Sequence, residues 1–440
     1  MKLPKGRKGE IMIYLDNAAT TQIRKEVLDA MHPYLTKFYG NAGGNYSLGQ
    51  ISKKALGVAR SQVANMIGAN PDQIVFTSGG SEGNNMVFSL GMRNELIKKG
   101  KTHIIISAGE HDSIFRAALA MIGAEHNDET DLIGCGTYSA SEVTTEGKDE
   151  IKEQFYLYIA PLLPSGVVDY QWVRNKIKND DKLGLVSIMH TNNETGAINP
   201  VSEIGKLCRE NSVIFHTDCV QAIGAELVDV RSIECDYLTA SGHKFHAPKG
   251  TGFIYVREPD KAYPLIYGGL YQENGLRGGT ENIAGIVGLG KACELVTRNL
   301  VDDMVSIRAL KKTFYETLMK SLKVRWLDKI VKINGSNVSS QSKSLNLRFE
   351  SIDGETLVIL ADAKGLCISA GSACHSANSN PSRVLIAMGL EPDQARDSVR
   401  ISFSSLNSLD EAKEAGIILA NCVYTLANYK EEIYAEETQS

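Results

Sequence analysis

A single lysine, Lys244, lies between small residues and ring side chains in the stretch DYLTASGHKFHAPKGTG, which runs from Asp236 to Gly252. A solvated lysine on a protein surface needs no such surroundings. A lysine enclosed in a pocket, however, can form a Schiff base with an aldehyde cofactor. The stretch therefore indicates a chemical role for Lys244, and it raises the question of which residues the fold brings beside it.

Polar or glycine residues stand at the ends of five short apolar runs. They are Ser78–Ser81, Glu110–His111, Asn192–Glu194, Thr217–Asp218 and Ser241–Lys244. The runs alternate with amphipathic stretches, and this alternation predicts a mostly parallel sheet with helices on both faces. Ligands of such sheets bind beyond the carboxyl ends of the strands, so the five ends predict one pocket.

The stretch SGGSEGNN places Gly79, Gly80 and Ser81 at a predicted helix N-terminus, where backbone N–H groups and the helix dipole suit a phosphate. An ordinary glycine turn with a serine cap is the alternative. His111 is a flat ring at a strand end and could stack on an aromatic cofactor, or it could be an ordinary histidine satisfied by its surroundings.

Asp218 ends the apolar run VIFHTD, where burial of a bare carboxylate costs several kcal/mol unless a partner compensates it. A protonated ring nitrogen would compensate it, although Asp218 could instead cap a helix in VQAIG. Gln221 follows one turn later and could face the same site. A phosphate cradle, a stacking ring, a carboxylate and a Schiff-base lysine together indicate pyridoxal 5'-phosphate (PLP).

Histidine spacing also permits a metal hypothesis. His243 and His246 stand three residues apart, and His216, Asp218 and Cys219 lie close together in HTDC. Zinc accepts such ligands. The HKFH stretch nevertheless lies in a Pro/Gly loop and lacks the glutamate of a metalloprotease helix, so we expect no metal.

A second reactive element is Cys374, which lies in the small-residue loop ISAGSACHSANSNPS beside His375. Such a loop is expected to be mobile and accessible, as a nucleophilic cysteine requires. An incidental exposed thiol is the alternative. Cys367 lies in the apolar run GLCIS and is expected to be inert. Arg400 could bind a substrate carboxylate through a bidentate pair.

The amino-acid composition limits the classes of protein to which the chain can belong. The chain has 440 residues, 43% hydrophobic residues, a net charge of −5 and eight cysteines without a C-x-x-C pair. These values predict a globular protein of a reducing, cytoplasmic compartment, without a nucleic-acid or membrane partner. The basic N-terminus lacks the apolar region of a secretory signal, and no apolar run is long enough to span a membrane.

The apolar and amphipathic runs also predict element positions. Strands are expected at Ile74–Thr77, at His103–Ser107 and in GTGFIYVR, and three further strands are expected to end near His190, His216 and Ala240. Helices are expected over 301–323 and from Leu409. The domain hypothesis is an N-terminal segment over 1–20 that packs with the small domain, a large PLP-binding domain over 21–290, and a smaller α+β domain over 291–440 that carries the cysteine loop. The polar segment at about 127–155 is interpreted as an insertion or a long surface loop.

Nine motifs in order, from about Tyr14 to Ser402, resemble one family: YLDNAATT, FTSGGSEGNN, EHDS, NNETG, HTDCVQ, SGHKFHAPKGTG, RGGTEN, GSACHS and SVRIS. The chain resembles the PLP-dependent cysteine desulfurase and selenocysteine lyase family, which is NifS-like and of class V aminotransferase type. The resemblance implies PLP fold type I and removal of sulfur or selenium from L-cysteine or L-selenocysteine, leaving L-alanine. It also implies a homodimer, a possible acceptor protein, and sulfur transfer for iron–sulfur cluster biogenesis.

The resemblance also implies residue roles. Lys244 would bind the cofactor and move the Cα proton, while His111 would stack on the ring, Asp218 would pair the ring nitrogen and Gln221 would contact the ring hydroxyl. The phosphate would be held by Gly80, Ser81, Ser241 and His243, and Thr280 would reach the phosphate of a partner subunit. Asn193 and Arg400 would hold the substrate carboxylate, and Cys374 would attack the sulfur or selenium.

Several positions depart from the family pattern, and they leave the substrate preference open. They are Ala42–Gly44, Tyr46, Asn274, Ser404–Ser405 and the 127–155 segment. EHDSI, GSACHS and GKACELVTRN lean towards eukaryotic-type selenocysteine lyases. Two alternatives stay open at this point: another class V PLP aminotransferase or β-lyase, and a non-catalytic scaffold for sulfur transfer.

Overall fold

The computed structural model describes residues 12–123, 137–139, 155–338, 340, 342–371 and 381–437. The strands are β1 Ile13–Tyr14, β2 Ile74–Thr77, β3 His103–Ser107, β4 Thr137–Ser139, β5 Tyr156–Ala160, β6 Leu183–Ser187, β7 Ile214–Asp218, β8 Tyr237–Ser241, β9 Gly252–Val256, β10 Val331–Asn334, β11 Ser344–Phe349, β12 Leu366–Cys367 and β13 Ser398–Ser402.

Helices alternate with these strands. They are α1 Lys25–Thr36, α2 Ser47–Ile67, α3 Gly80–Val87, α4 Leu90–Lys98, α5 Asp112–Ile122, α6 Tyr170–Asn179, α7 Val201–Glu210, α8 Val230–Ile233, α9 Ile283–Lys323, α10 Gly354–Ala363, α11 Arg383–Ala387, α12 Pro392–Arg396 and α13 Leu409–Glu437. Within the described residues, no helix is both long enough and apolar enough to cross a membrane.

An eight-stranded sheet in the order β2-β9-β8-β7-β6-β3-β5-β4 forms the centre of the fold. Strands β8, β7, β6, β3 and β5 are parallel, whereas β9 is antiparallel to both of its neighbours and β4 is antiparallel to β5. Strand β2 therefore runs in the direction of β8, and its carboxyl end lies at the same edge. The predicted α/β fold with a mostly parallel sheet is confirmed.

Three element boundaries differ from the sequence-based prediction. Strand β6 ends at Ser187 rather than near His190, because the following residues leave the regular ladder for a polar turn at Asn192. Helix α9 begins at Ile283, well before Val301. Its residues up to Val296 are all buried or half-buried, so this part shows little of the amphipathic contrast from which a helix is predicted. Part of the predicted 127–155 loop, Thr137–Ser139, is an edge strand beside β5, a pairing that three residues cannot signal by periodicity.

The described residues form two hydrophobic cores. The first lies around the central sheet. The second lies between the antiparallel sheet β10-β11-β13 and helices α9, α10 and α13, and it includes Ile13 and Leu15 of the N-terminal segment. Strand β1 pairs in parallel with β12, which ties that segment to the second core.

Helix α9 is shared between the cores. Its residues up to Leu295 pack in the first core, and those from Ile307 pack in the second. The expected boundary at 290/291 therefore lies inside a continuous helix. Val384 and Leu385 of α11 also return to the first core, so the chain after residue 290 does not belong to the second core alone.

A close helix–helix contact in the first core yields a stability prediction. A Cβ on Gly205 of α7 would lie 1.8 Å from the carbonyl oxygen of Ile233, whereas a Cβ on Gly57 of α2 would meet nothing within 4 Å. Gly205→Ala is expected to destabilise the protein by about 2–3 kcal/mol through overpacking. Gly57→Ala, the control, is expected to stabilise it by about 0.5–1 kcal/mol. Urea unfolding measures both, and similar shifts for the two variants would contradict the packing described.

Candidate active site

Lys244 lies in a short 3₁₀ turn directly after β8, at the carboxyl edge of the sheet. Its Nζ donates hydrogen bonds to the carbonyl oxygens of Ala18 at 2.7 Å and Ala19 at 2.8 Å. Thr21 donates to the carbonyl of His243 through its backbone N–H and its hydroxyl. The N-terminal segment therefore holds both the Lys244 ammonium and the turn that carries it.

Gln221 reaches the same carbonyl. Its Nε2 donates to the oxygen of Ala18 at 2.9 Å, so Lys244 and Gln221 converge on one acceptor. The Oε1 of Gln221 is buried and has no hydrogen-bond partner among the described residues. A buried acceptor of this kind costs free energy unless a ligand donates to it. The hydroxyl of a pyridine ring is one group that fits this atom.

Asp218 ends β7 and is 4% exposed. Its Oδ2 accepts from Asn84 Nδ2 and its Oδ1 from the backbone N–H of Val220, both at 2.8 Å. Residues 220–224 form turns, so the alternative of a helix cap in VQAIG is wrong: Asp218 closes a turn there instead. Among the ion pairs of the described residues, none neutralises Asp218. A protonated pyridine nitrogen fits this buried anion.

Asn84 was not singled out by the sequence reasoning, although it lies in the SGGSEGNN stretch. Its Nδ2 joins Asp218 to the hydroxyl of Ser113, at 2.8 and 2.9 Å. The signal that could have found it is its position one helical turn after Gly80, facing the strand end that carries Asp218.

His111 caps helix α5 and is half-buried. Its Nδ1 accepts from the backbone N–H of Ser113 at 3.1 Å and lies 2.8 Å from the Ser113 hydroxyl. Because Nδ1 is an acceptor, the proton of the neutral ring belongs on Nε2. The ring is therefore held in one orientation, as stacking on a flat cofactor requires.

The predicted phosphate loop lies between β2 and α3, where its glycines pack closely against Gly252 and the side chain of Val220. A Cβ on Gly80 would lie 2.7 Å from Val220, and a Cβ on Gly252 would lie 2.8 Å from the Cα of Gly79. Ser241 is buried beside Gly79, whereas Ser81 is exposed. Only residues without side chains allow this approach, so the loop has the shape of a cradle for a small anion.

His243 lies on the N-terminal side of Lys244, and its Nδ1 lies 3.1 Å from the hydroxyl of Thr20. Burial, with the charges of Lys244, Lys343 and Lys249, lowers the pKa of His243 to about 4. His243 is therefore neutral at physiological pH. It can contact a phosphate by a hydrogen bond but not by a full charge.

Arg400 lies in β13 and is 2% exposed. It donates to Asp16 Oδ1 at 2.8 Å and to the carbonyl of Asn193 at 2.9 Å, while its buried Nε has no partner among the described residues. The fold thus brings together the two residues expected to hold a substrate carboxylate. Asp16, which the sequence reasoning did not single out, orients the guanidinium.

Cys374 and His375 lie outside the described residues, but both ends of their loop are described. Ser369 and Arg400 exchange backbone hydrogen bonds at 3.1 and 2.6 Å. On the other side, Ser382 donates to the carboxylate of Glu194, the neighbour of Asn193. The cysteine loop therefore leaves and rejoins the fold beside the Arg400–Asn193 contact.

The remaining predicted residues lie elsewhere. Thr280 is exposed on this chain. His216 is fully buried, with Nδ1 2.8 Å from Ser187 and Nε2 3.1 Å from Thr239, so both ring nitrogens are engaged. Among the described residues, no group of three or more His, Cys, Asp or Glu side chains could hold a metal ion.

The comparisons with known proteins agree with this geometry. The Aminotransferase class-V family matches residues 13–128 and 148–414. A cysteine desulfurase IscS of Methanosarcina thermophila is 38% identical, with 94% of this chain and 93% of that protein covered. One from Dictyoglomus turgidum is 34% identical, with 96% and 97% covered.

Solved structures are also similar. A NifS-like protein superposes with a TM-score of 0.78 at 28% identity, covering 94% of this chain and all of that one. The apo structure of a cysteine desulfurase from Thermococcus onnurineus NA1 gives a TM-score of 0.74 at 25% identity, with 94% and 95% covered. SspA in complex with cysteine gives 0.68 at 28% identity, with 90% and 99% covered.

The Asn84–Asp218 contact can be tested by a pair of neighbouring substitutions. Asn84→Ala leaves the buried carboxylate of Asp218 without its side-chain donor and is expected to destabilise the protein by about 2–3 kcal/mol. Asn85→Ala on the same helix removes an exposed side chain that donates only to the carbonyl of Ser81, and its effect is expected to be within about 0.5 kcal/mol. Urea unfolding measures the difference, and equal losses would refute the assigned contact.

Proposed function

The chain belongs to the class V aminotransferase family, and from this premise we infer that it is a PLP-dependent cysteine desulfurase. The observation that carries the inference is the arrangement around the turn at Ala18. Lys244 and Gln221 donate to one carbonyl there, and the neighbouring strand ends in Asp218, a buried carboxylate that has no cationic partner among the described residues. Amine, acceptor and carboxylate are the groups that PLP requires.

Different residues of the chain bind different groups of the cofactor. Lys244 anchors it covalently, Asp218 pairs its ring nitrogen, His111 stacks on its ring, and Gln221 contacts its hydroxyl. The phosphate lies in the cradle of Gly80, Ser81, Ser241 and His243. Bound in this way, PLP supplies an electron sink that makes the α-proton of an amino acid acidic. The protein then has to orient the substrate and move protons.

Arg400 and Asn193 orient the substrate. The guanidinium of Arg400 is held by Asp16, and its Nε is a buried donor without a partner among the described residues, which a substrate α-carboxylate would complete. Lys244, as a free amine beside the bound substrate, would take the proton from Cα and return one to Cβ.

Cys374 completes the reaction. Its thiolate attacks the sulfur of bound L-cysteine, the Cβ–S bond breaks, and the sulfur remains on Cys374 as a persulfide while L-alanine leaves. The loop ends at Ser369 and Ser382 lie at the substrate contacts, which supports this role. L-selenocysteine is a second substrate by the same chemistry, which leaves the selenium on Cys374; a thiol reductant then releases it as selenide while the thiol is oxidised to a disulfide. An acceptor protein takes the sulfur, and the cytoplasm is the proposed compartment.

A homodimer is part of the proposal. The segment before RGGTEN exposes large apolar side chains, with Tyr267 at 80%, Leu270 at 82% and Tyr271 at 99% exposure. Contiguous exposed apolar surface of this kind is typical of protein–protein contacts. Thr280 lies nearby in sequence and is exposed, as a residue that contacts the phosphate in a second subunit must be.

Lys244 gives the most direct test. Purified protein is expected to show the visible absorbance of bound PLP, and Lys244→Ala is expected to lose the covalent attachment that borohydride fixes in the wild type. Lys249→Ala is the control, because Lys249 lies on the same loop but is exposed. Covalent cofactor retained in Lys244→Ala would exclude this lysine as the anchor.

The thiol can be tested separately. Cys374→Ala is expected to keep the PLP absorbance but to lower alanine release from L-cysteine at least about 10³-fold, because the nucleophile is gone. Cys367→Ala is the matched control: burial raises the pKa of the Cys367 thiol, which leaves it a poor nucleophile. Full activity of Cys374→Ala would favour a simple β-lyase, and absence of both absorbance and alanine in the wild type would favour the non-catalytic scaffold.

A further inference from the structure

A second buried lysine, Lys343, lies against the main chain of the cofactor lysine. It precedes β11, is 5% exposed, and donates from Nζ to the carbonyl oxygen of Lys244 at 3.0 Å. Its own carbonyl accepts from the backbone N–H of Phe403 at 2.9 Å, just after the strand that carries Arg400. Lys343 therefore bridges the second core and the Lys244 turn.

The segment that carries Lys343 is held from the other side by Lys311 of α9. The Nζ of Lys311 donates to the carbonyls of Ser340 at 2.8 Å and Ser342 at 2.5 Å. Helix α9 thus anchors Ser340 and Ser342, which precede Lys343. The position of the Lys343 ammonium is consequently set by the small domain rather than by a flexible surface loop.

Cationic and neutral groups, rather than carboxylates, dominate the surroundings of Lys343. Burial, followed by the charges of Lys244 and Arg400, lowers the pKa of Lys343 to about 7. Among the ion pairs of the described residues, none includes Lys343. His243 and His246, whose pKa values are both lowered to about 4 by burial with a contribution from Lys343, add no compensating anion.

The acidic groups of this region are engaged elsewhere. Asp16 pairs with Arg400 at 2.8 Å, and Asp303 pairs with Arg24 at 3.1 Å. Arg24 also donates to Ser405. A cavity of about 20 Å³, lined by Lys244, Lys343, Arg24, Asp303 and other residues, is wide enough for about one water molecule. Bulk solvent therefore screens the buried Lys343 poorly, whereas Lys244 is half-buried.

We propose that Lys343 is a positioning residue of the reaction, whose charge, held at the main chain of Lys244, favours the unprotonated nitrogen of that lysine. The proposal rests on the proposed function, since it concerns the amine that moves the substrate proton. A like charge nearby disfavours protonation of an amine, and a neighbouring cation is a known way to activate a lysine. Because Lys343 belongs to the small domain, the packing of the two cores also sets the strength of this effect.

The test is a pH titration of the bound cofactor by absorbance, which reports the protonation of the Lys244 nitrogen without turnover. Lys343→Met removes the charge that Lys343 carries below about pH 7 and is expected to raise the midpoint by up to about one pH unit, most where the titration falls in that range. Lys343→Arg keeps a charge and is expected to leave the midpoint unchanged or lower. Lys343→Gln keeps a hydrogen-bond donor but no charge, and is expected to behave like Lys343→Met.

A matched control and a second readout complete the design. Lys249→Met removes one positive charge from the same loop at an exposed position, where solvent screens it, so its midpoint is expected to stay within about 0.2 unit of the wild type. As the second readout, Lys244 is labelled with an amine-reactive anhydride in the full-length protein stripped of cofactor, and the extent of labelling is followed against pH by mass spectrometry. The midpoint of this pH dependence is expected to shift in the same order among the variants.

The possible failures are distinguishable. An unchanged midpoint and unchanged labelling in Lys343→Met would overturn the role of Lys343 while leaving the enzyme intact. A wild type without cofactor absorbance would instead contradict the proposed function, and the labelling experiment would still decide whether Lys343 acts on Lys244. If Lys343→Gln matched the wild type, the hydrogen bond rather than the charge would be the active element, and the proposal would fall.

Discussion

The turn from Asp16 to Thr21 is hydrogen-bonded to both halves of the candidate site, and the geometry of the site depends on it. Asp16 orients Arg400, the carbonyl of Ala18 receives Lys244 and Gln221, and Thr21 holds the turn that contains His243. Strand β1, directly before this turn, pairs with β12 of the second core. A displacement of β1 would therefore disturb the cofactor lysine and the carboxylate-binding arginine together.

The second organising feature is the distribution of buried charge. Asp218 is a buried carboxylate held by neutral donors, and Arg400 and Lys343 are buried basic side chains. Within the part of the chain that the structure describes, Arg400 has a carboxylate partner and Lys343 has none. Such groups lower the stability of a protein unless ligands complete them. Here the unpartnered charge at Asp218 matches a protonated ring. Burying this carboxylate costs free energy during folding, and binding of the cofactor recovers part of that free energy.

The departures from the family pattern are structural as well as chemical. Ser404 contacts His246 Nε2 at 3.0 Å and so reaches the loop after Lys244, whereas Ser405 accepts from Arg24, which directly precedes helix α1. Asn274 is exposed in a left-handed conformation beside Glu273, which is buried and pairs with Arg60 at 2.6 Å. The first departure lies beside the Lys244 turn, and the second lies near the apolar surface proposed for the dimer.

The amino-acid sequence by itself determined the positions of β2, β3 and the last helix, and it determined the class of the sheet. Each of these follows from local periodicity and from the polar residues that end the apolar runs. Lys244, Asp218 and His111 could be singled out for the same reason. Only the tertiary structure decided which atoms meet: Asn84 with Asp218, Ala18 with Lys244, and Lys343 with the Lys244 carbonyl. These contacts join residues as many as 226 positions apart, and no local pattern encodes a pairing that arises from packing two cores against one turn.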